Sequence, residues 1–393
     1  MKGIKKFSQK ELQKAGVPKD IQWVITNKCD LAFTDGHCAV PNTDQMPELL
    51  NGGISDIFRI IDALAIMDFE VKILGGNPSD NRSAFLSVID RMNKRDITYA
   101  ITDNAMNEKT ILEAVKQHSV KGFVFSIDTL KSLPQYRSLQ EIDIGGCSPL
   151  KSAAALKLIP KIRSKVPYVA VNTMIHAGNI KQIIPIVKHC TDELNGVIVN
   201  LCPIIHGSLL NDLGENLYIF RGQTDSFSLQ LKHKPAFVKL MDELIELKKS
   251  GYLIGVPVEY LELLKSNVCG EFTWNCGELE RCPIFRLFPN GMLGVCSDLV
   301  GRDMQYKGLT LFDLLSTDRH ILNEMDKNKL GFTPKLTIED LIRNSGKINE
   351  AWLNDRDRNL CCKKGGCAWS NIIIASIYQK KGYGTLTATT KNL

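Results

Sequence analysis

The feature that most constrains this chain is a change of period that repeats along its first half. Short runs rich in β-branched residues occur at 21–26 (IQWVIT), 71–75 (VKILG), 97–102 (ITYAIT), 122–128 (GFVFSID), 168–175 (YVAVNTMI) and 196–205 (GVIVNLCPII). Between them, apolar residues recur at helical spacing. Ile54 to Met67 has apolar residues at Ile57, Ile60, Ile61, Leu64 and Ile66, and similar patterns fill 84–92, 108–117, 149–164 and 180–190. Strand and helix alternating this often predict an α/β fold with a parallel sheet and right-handed crossovers. Near-continuous apolar strands fit burial on both faces. The expected architecture is a partial (β/α)6 TIM-like barrel, with 252–256 as a further candidate strand.

Downstream the texture changes. Residues 207–231 carry little periodicity and read as a substrate-covering loop or an insertion, and 236–249 returns as a helix. After Lys265, cysteines, glycines and turn residues dominate, which places a domain boundary there: 1–265 for the barrel and 266–393 for a cysteine-rich domain. Within the second part, 309–325 reads as one or two amphipathic helices and 326–359 as a charged, solvated insertion.

The first strand ends in a loop that carries Cys29, Asp35, Gly36, His37 and Cys38. The carboxyl ends of strands are where barrels and open α/β sheets assemble their chemistry. The chain has 12 cysteines. Met1 to Lys10 is basic, but no apolar stretch follows it as in a secretory signal. No apolar run reaches the roughly 18 residues of a membrane span. A soluble cytosolic protein is therefore expected, in which thiols serve as metal ligands, reactive groups or core residues rather than disulfides. Cys147, Cys190 and Cys202 are isolated and read as small hydrophobes. Cys269, Cys276, Cys282, Cys296, Cys361, Cys362 and Cys367 crowd the last third and read as metal ligands. A net charge of +6 without a dense basic stripe argues against a nucleic-acid partner.

The other strand ends add polar groups. Gly75-Gly76-Asn77-Pro78 follows the second strand, where two glycines allow close approach of a ligand or simply make a turn. Thr102-Asp103-Asn104 follows the third and is turn-like. The fourth ends in Ser126-Ile127-Asp128, a hydroxyl and a carboxylate two residues apart, suited to a sugar or an amine or to capping the next segment.

In this order the motifs resemble the radical S-adenosylmethionine (radical SAM) enzymes. They include a cysteine-bearing loop after strand one, GGNP in place of a Gly-Gly-Glu-Pro-like segment, and FSIDTL after strand four. Cys282-Pro-Ile-Phe-Arg-Leu-Phe-Pro-Asn-Gly291-Met-Leu-Gly-Val-Cys296 is similar to the Cys…Pro-Asn-Gly…Cys segment of the SPASM or Twitch extension, and Cys361-Cys362…Gly365-Gly366-Cys367 to its closing knot. The resemblance implies a 4Fe–4S cluster on the first loop and S-adenosylmethionine bound beside it. It also implies a 5′-deoxyadenosyl radical that takes hydrogen from a peptide or small-molecule substrate. Gly75, Gly76 and Asn77 would meet the methionine amine, and Ser126 and Asp128 the ribose. Cys276, Cys282, Cys296, Cys361, Cys362 and Cys367 would hold one or two auxiliary iron–sulfur clusters, or a structural zinc. An external electron donor such as flavodoxin or ferredoxin is implied, and an oxygen-sensitive cluster fits a cytoplasmic location. The chain departs from the pattern in two places. Its loop is C-x8-C, with Asp35 where a C-x5-C-x2-C spacing has a thiol, so Cys29, Asp35 and Cys38 form the expected ligand set. Asn77 replaces a glutamate and its charge.

Two other readings stay open. One is a degenerate member of the same fold that binds a peptide or partner without radical chemistry. The other is a metal-dependent hydrolase with His37, His176, His206 and Asp128 as ligands at the strand ends.

Overall fold

The computed structural model describes residues 7–26, 29, 54–139, 148–203, 218–219, 229–267, 279, 282, 284–287, 292–294, 299–300, 305–315, 337–354, 370–381 and 386. A short helix, α1 (Gln9–Lys14), is closed at its start by a capping box in which Ser8 and Glu11 satisfy each other's backbone N–H. The alternating units follow: β1 (Asp20–Thr26), α2 (Ile54–Ile66), β2 (Glu70–Gly75), α3 (Arg82–Lys94), β3 (Thr98–Thr102), α4 (Glu108–Gln117), β4 (Gly122–Ser126), α5 (Ser148–Ile162), β5 (Tyr168–Ile175), α6 (Ile183–Lys188) and β6 (Ile198–Pro203). All six strands lie where the sequence periodicity predicts them. Consecutive strands pair in parallel, giving the sheet order β1-β2-β3-β4-β5-β6.

Side-chain alternation along these strands sorts two cores. Ile21, Trp23, Val71, Ile73, Tyr99, Ile101, Phe123, Phe125, Val169, Val171, Val199 and Leu201 face outward into one continuous cluster with the helices. Ala100, Val124, Tyr168, Ala170 and Ile198 face inward and pack on Leu386 in a second, smaller cluster. The sheet is therefore a wall curved around an interior, with the chain's far end reaching into it. The 252–256 segment falls short of a strand. It touches β6 through one parallel bridge, Val199 to Ile254, between α7 (Lys234–Lys249) and α8 (Val258–Asn267).

Beyond position 265 the chain returns to the same sheet. Of the strands β7 (Tyr218–Ile219), β8 (Phe285–Leu287), β9 (Met292–Gly294), β10 (Leu299–Val300) and β11 (Gln305–Thr310), β8 pairs in parallel with β1. β8 and β9 pair antiparallel on either side of the Pro-Asn-Gly segment, as a hairpin there requires, and β11 continues that edge. The result is a nine-stranded sheet, with β7 and β10 forming a separate pair.

Two expectations are corrected. The 309–325 stretch opens in the last residues of β11 and only then becomes a helix, α9 (Leu311–Leu315). The 326–359 stretch, expected to be solvated, contains α10 (Ile338–Leu353), a 16-residue helix with a Thr337 capping box. Leu341, Ile348 and Trp352 are buried on its inner face. Its many charges lie on the other faces and masked the apolar stripe. Polar groups on this helix also hold the chain together. Ser345 Oγ donates to Ala15 O, Asn349 Nδ2 donates to Gly16 O at 3.1 Å, and Asn349 Oδ1 accepts the Cys282 N–H at 2.9 Å. The last described helix is α11 (Ser370–Lys380), which leads to Leu386.

Candidate functional site

The carboxyl ends of β1, β2 and β3 converge on a small polar cluster. At the end of β1 the register with β2 slips between Val24 and Thr26. The slip brings Gly76 N–H onto Thr26 O at 2.8 Å. Gly75 has φ +145°, and a Cβ there would collide with the Thr26 carbonyl oxygen. Only glycine fits this crossing. The first glycine of the pair is thus required by the backbone itself.

Asn77 follows, 1% exposed. Its Nδ2 donates to Asp80 Oδ1, and its Oδ1 accepts the Asn104 N–H at 3.3 Å. A second amide, Asn107 Nδ2, donates to the same Asp80 oxygen. The turn after β3 is built by two side chains that bond their own backbone two residues on. Asp103 Oδ1 accepts from Ala105 N–H at 2.9 Å, and Asn104 Oδ1 accepts from Met106 N–H at 3.0 Å. Ala105 is left at φ +64°, an uncommon conformation for a residue with a Cβ. Because Asn104 Oδ1 is committed to the backbone, its Nδ2 faces outward as a donor, 3.7 Å from Cys29 Sγ. Cys29 is half-buried.

The other oxygen of Asp103 accepts the Ser79 N–H at 3.1 Å. Burial pushes the Asp103 carboxyl up to about 6; its hydrogen bonds from Ser79 and Ala105 resist that rise, and the neighbouring Asp80 charge adds to it. In the sequence Asp103 and Asn104 read only as a polar turn after the third strand, and Asp80 carries no signal of its own. The only available signal was the Asx-rich composition of the two turns, which any surface turn shares.

On the β4–β5 side, Ser126 ends its strand in register with Asn172, which is in register with Asn200 on β6. Asn200 Nδ2 donates to Asn172 Oδ1 at 3.2 Å. This row of half-buried polar groups lines the inner wall. Asp128 lies two residues beyond the strand and is 1% exposed. Its Oδ1 accepts the Met174 N–H at 2.8 Å, so a carboxylate takes over from the ladder where β4 stops.

His176 is fully buried in a turn, where its N–H donates to Asn179 Oδ1 at 2.9 Å and its Nδ1 accepts from Gly178 N–H at 3.1 Å. Among the described residues no three His, Cys, Asp or Glu side chains are grouped to hold a metal ion. Asp35, His37, Cys38, His206, Cys276, Cys296, Cys361, Cys362 and Cys367 lie outside the described residues. Cys282 is 2% exposed, and its thiol donates to Ile284 O at 3.0 Å. Cys190 and Cys202 are buried, as expected of core thiols, and burial pushes the Cys190 thiol up.

No family model and no curated protein matches the chain. Solved structures do. SuiB of Streptococcus suis is similar with a TM-score of 0.53 at 16% identity, over 91% of this chain and 75% of that one. SuiB bound to its precursor peptide SuiA gives 0.52 at 15% identity, over 85% and 73%. Native anSMEcpe with bound AdoMet gives 0.51 at 12% identity, over 95% and 99%. The fold is that of the radical SAM enzymes, an α/β partial barrel. No helix among the described residues is long and apolar enough to cross a membrane.

Proposed function

We propose that the chain is a radical SAM enzyme acting on a peptide or a small natural product. The observation that carries this reading is the meeting of Cys29 Sγ, Asn104 and Asn77 at one end of β1–β3, beside the Gly75–Gly76 crossing. A half-buried thiol at the mouth of a parallel barrel, facing an amide donor, is an environment that suits a thiolate ligand, since hydrogen bonds to sulfur tune iron–sulfur sites. Cys29, Cys38 and Asp35 would hold the cluster. Bound there, a 4Fe–4S cluster with S-adenosylmethionine supplies a 5′-deoxyadenosyl radical able to take hydrogen from an unreactive C–H bond.

The chain's own residues position the ligand. Gly75, Gly76 and Asn77 offer backbone groups and an amide oxygen to the methionine amine. Ser126 turns its hydroxyl to the ribose, and Asp128 acts behind it by fixing the start of the β5 exit through Met174 N–H. Asn172 and Asn200 continue the polar wall toward the substrate. Cys276, Cys282, Cys296, Cys361, Cys362 and Cys367 are the proposed ligands of one or two auxiliary clusters or a zinc. AdoMet bound to anSMEcpe and the SuiA peptide bound to SuiB support ligands of these classes.

A binding module that has lost the chemistry is the second reading, favoured by Asp35 and Asn77. Anaerobic reconstitution with iron and sulfide, then incubation with S-adenosylmethionine and dithionite, separates the two. The enzyme gives about four irons more per chain than Cys29→Ala, and 5′-deoxyadenosine. Equal iron in both proteins and no 5′-deoxyadenosine would leave the module.

A further inference from the structure

The turn after β3 commits one half of the Asn104 amide and leaves the other half against the thiol of the first loop. We infer that Asn104 sets how readily a cluster held by Cys29 accepts an electron from its external donor, by giving a hydrogen bond to the Cys29 sulfur. This role rests on the proposed binding of a 4Fe–4S cluster at Cys29, Asp35 and Cys38, and it belongs to a residue outside that ligand set.

Asn104 Oδ1 accepts the Met106 N–H at 3.0 Å, which orients the amide so that Nδ2 is the end that meets Cys29 Sγ, at 3.7 Å. The rest of the residue is held as firmly. Its backbone N–H donates to Asn77 Oδ1 at 3.3 Å, and the adjoining Asp103 closes the turn by accepting from Ala105 N–H at 2.9 Å and Ser79 N–H at 3.1 Å. Asn104 is 6% exposed and Cys29 is half-buried, so water competes poorly with the amide for the sulfur. A hydrogen bond in such surroundings is electrostatically stronger than one in water. Reduction adds a negative charge that is shared by the ligand sulfurs, and a donor aimed at one of them favours the more negative state. Hydrogen bonds to the sulfurs are among the levers that set cluster potentials, and such outer partners also fix the ligand's orientation. Asn104 is therefore a positioning residue: it acts through Cys29 and touches neither S-adenosylmethionine nor substrate.

Wild type, Asn104→Ser and Asn104→Asp are reconstituted anaerobically with iron and sulfide. Each is then titrated with dithionite in the presence of redox mediators and followed by electron paramagnetic resonance. Cys29→Ala, carried through the same steps, identifies the first-loop signal as the one it lacks. Serine keeps a hydroxyl that accepts the Met106 N–H and so preserves the turn, but it is too short to reach the sulfur. Aspartate keeps Oδ1 and places an acceptor oxygen where Nδ2 stood. At the wild-type midpoint the oxidised-to-reduced ratio should rise about threefold in Asn104→Ser and about tenfold or more in Asn104→Asp, tenfold being 59 mV toward lower potential for one electron. A ratio within about 1.5-fold of wild type in Asn104→Ser overturns the role of Asn104, even if Asn104→Asp shifts, because the aspartate then acts only by its added charge. Should Asn104→Ser give too little folded protein, Asn104→Thr replaces it under the same criterion. A variant that loads less iron is still decisive, since a midpoint does not depend on the amount of cluster. If wild type shows no signal that Cys29→Ala lacks, the enzyme reading falls and the role of Asn104 with it.

Discussion

The two ends of the same half-barrel are built on opposite plans. At the carboxyl ends of β1–β3 the groups are amides, strained backbone and one half-buried thiol. Gly75 and Ala105 have positive φ, and the β1–β2 register slips. At the amino ends, charges are paired and the interior is sealed. Glu70, 1% exposed, takes Lys19 Nζ at 3.4 Å on one oxygen and Leu386 N–H at 2.8 Å on the other. Asp20, fully buried, lies 3.9 Å from Lys72 Nζ. Positive φ also occurs at the amino ends, at Asp68, Asp96 and Asn195, so what divides the two is the polar groups: side-chain amides and a thiol at the end where barrels assemble their sites, paired charges at the other. Predictions that separate the two ends test this division.

The largest effect belongs to the thiol. Cys29→Ala should lose at least a hundredfold in 5′-deoxyadenosine formation while its melting temperature changes by no more than a few degrees. A half-buried side chain on a loop contributes little to the core. A melting temperature lowered as far as by a core deletion would make Cys29 a structural residue and erase the contrast. Gly75→Ala attacks the strained backbone instead. Its methyl meets the Thr26 carbonyl, and its φ of +145° suits no residue with a Cβ, so a loss of about 3 kcal/mol or more is expected in denaturant unfolding.

Asp103 gives a pH signature. Its folded carboxyl lies at about 6 against an ordinary value of 3.8, chiefly because it is buried. Between these values the folded chain keeps a proton that the unfolded chain has lost. Stability therefore falls as pH rises through this window, and the full penalty is present above pH 6. Two units at 1.36 kcal/mol each bound the effect at about 3 kcal/mol. Asp103→Asn should flatten this part of the profile of unfolding free energy against pH. An unchanged profile would show that Asp103 is not the group responsible.

Much of the barrel was legible because its determinants are local. β-branched runs and helical spacing are written residue by residue, and every strand of the parallel series fell where the period changed. The mouth was legible only in outline. Cys29, Gly75 and Asn77 stand out by type, but Asp80, Asp103 and Asn104 act through contacts across 24 to 75 residues of chain, which no short motif records. In 309–325 the apolar spacing is helical, but the first two residues are drawn into β11 by its pairing with β9, which no local pattern records. α10 reads as solvated because its charges outnumber the three apolar positions that pack, and those positions gain their meaning only from α9 and β11, elsewhere in the sequence. Leu386 was invisible for the same reason: a lone leucine in a polar tail carries no period.

That leucine offers the smallest and most specific test of the division. Leu386 is 5% exposed and sits among Ala100, Val124, Tyr168, Ala170 and Ile198. Its neighbours include two alanines, so the inner wall leaves room for a side chain that only this distant segment provides. Removing it should leave a cavity that the rigid strands cannot close, and Leu386→Ala should cost about 2 kcal/mol. Its backbone N–H still donates to Glu70, which keeps the buried carboxylate paired and limits the loss. Because the interior floor lies at the opposite strand ends from Cys29 and Asn77, S-adenosylmethionine affinity and 5′-deoxyadenosine yield per folded chain should stay within about twofold of wild type. If instead the yield falls while calorimetric affinity holds, the floor reaches the substrate. The two ends of the barrel would then have to be treated as one chamber.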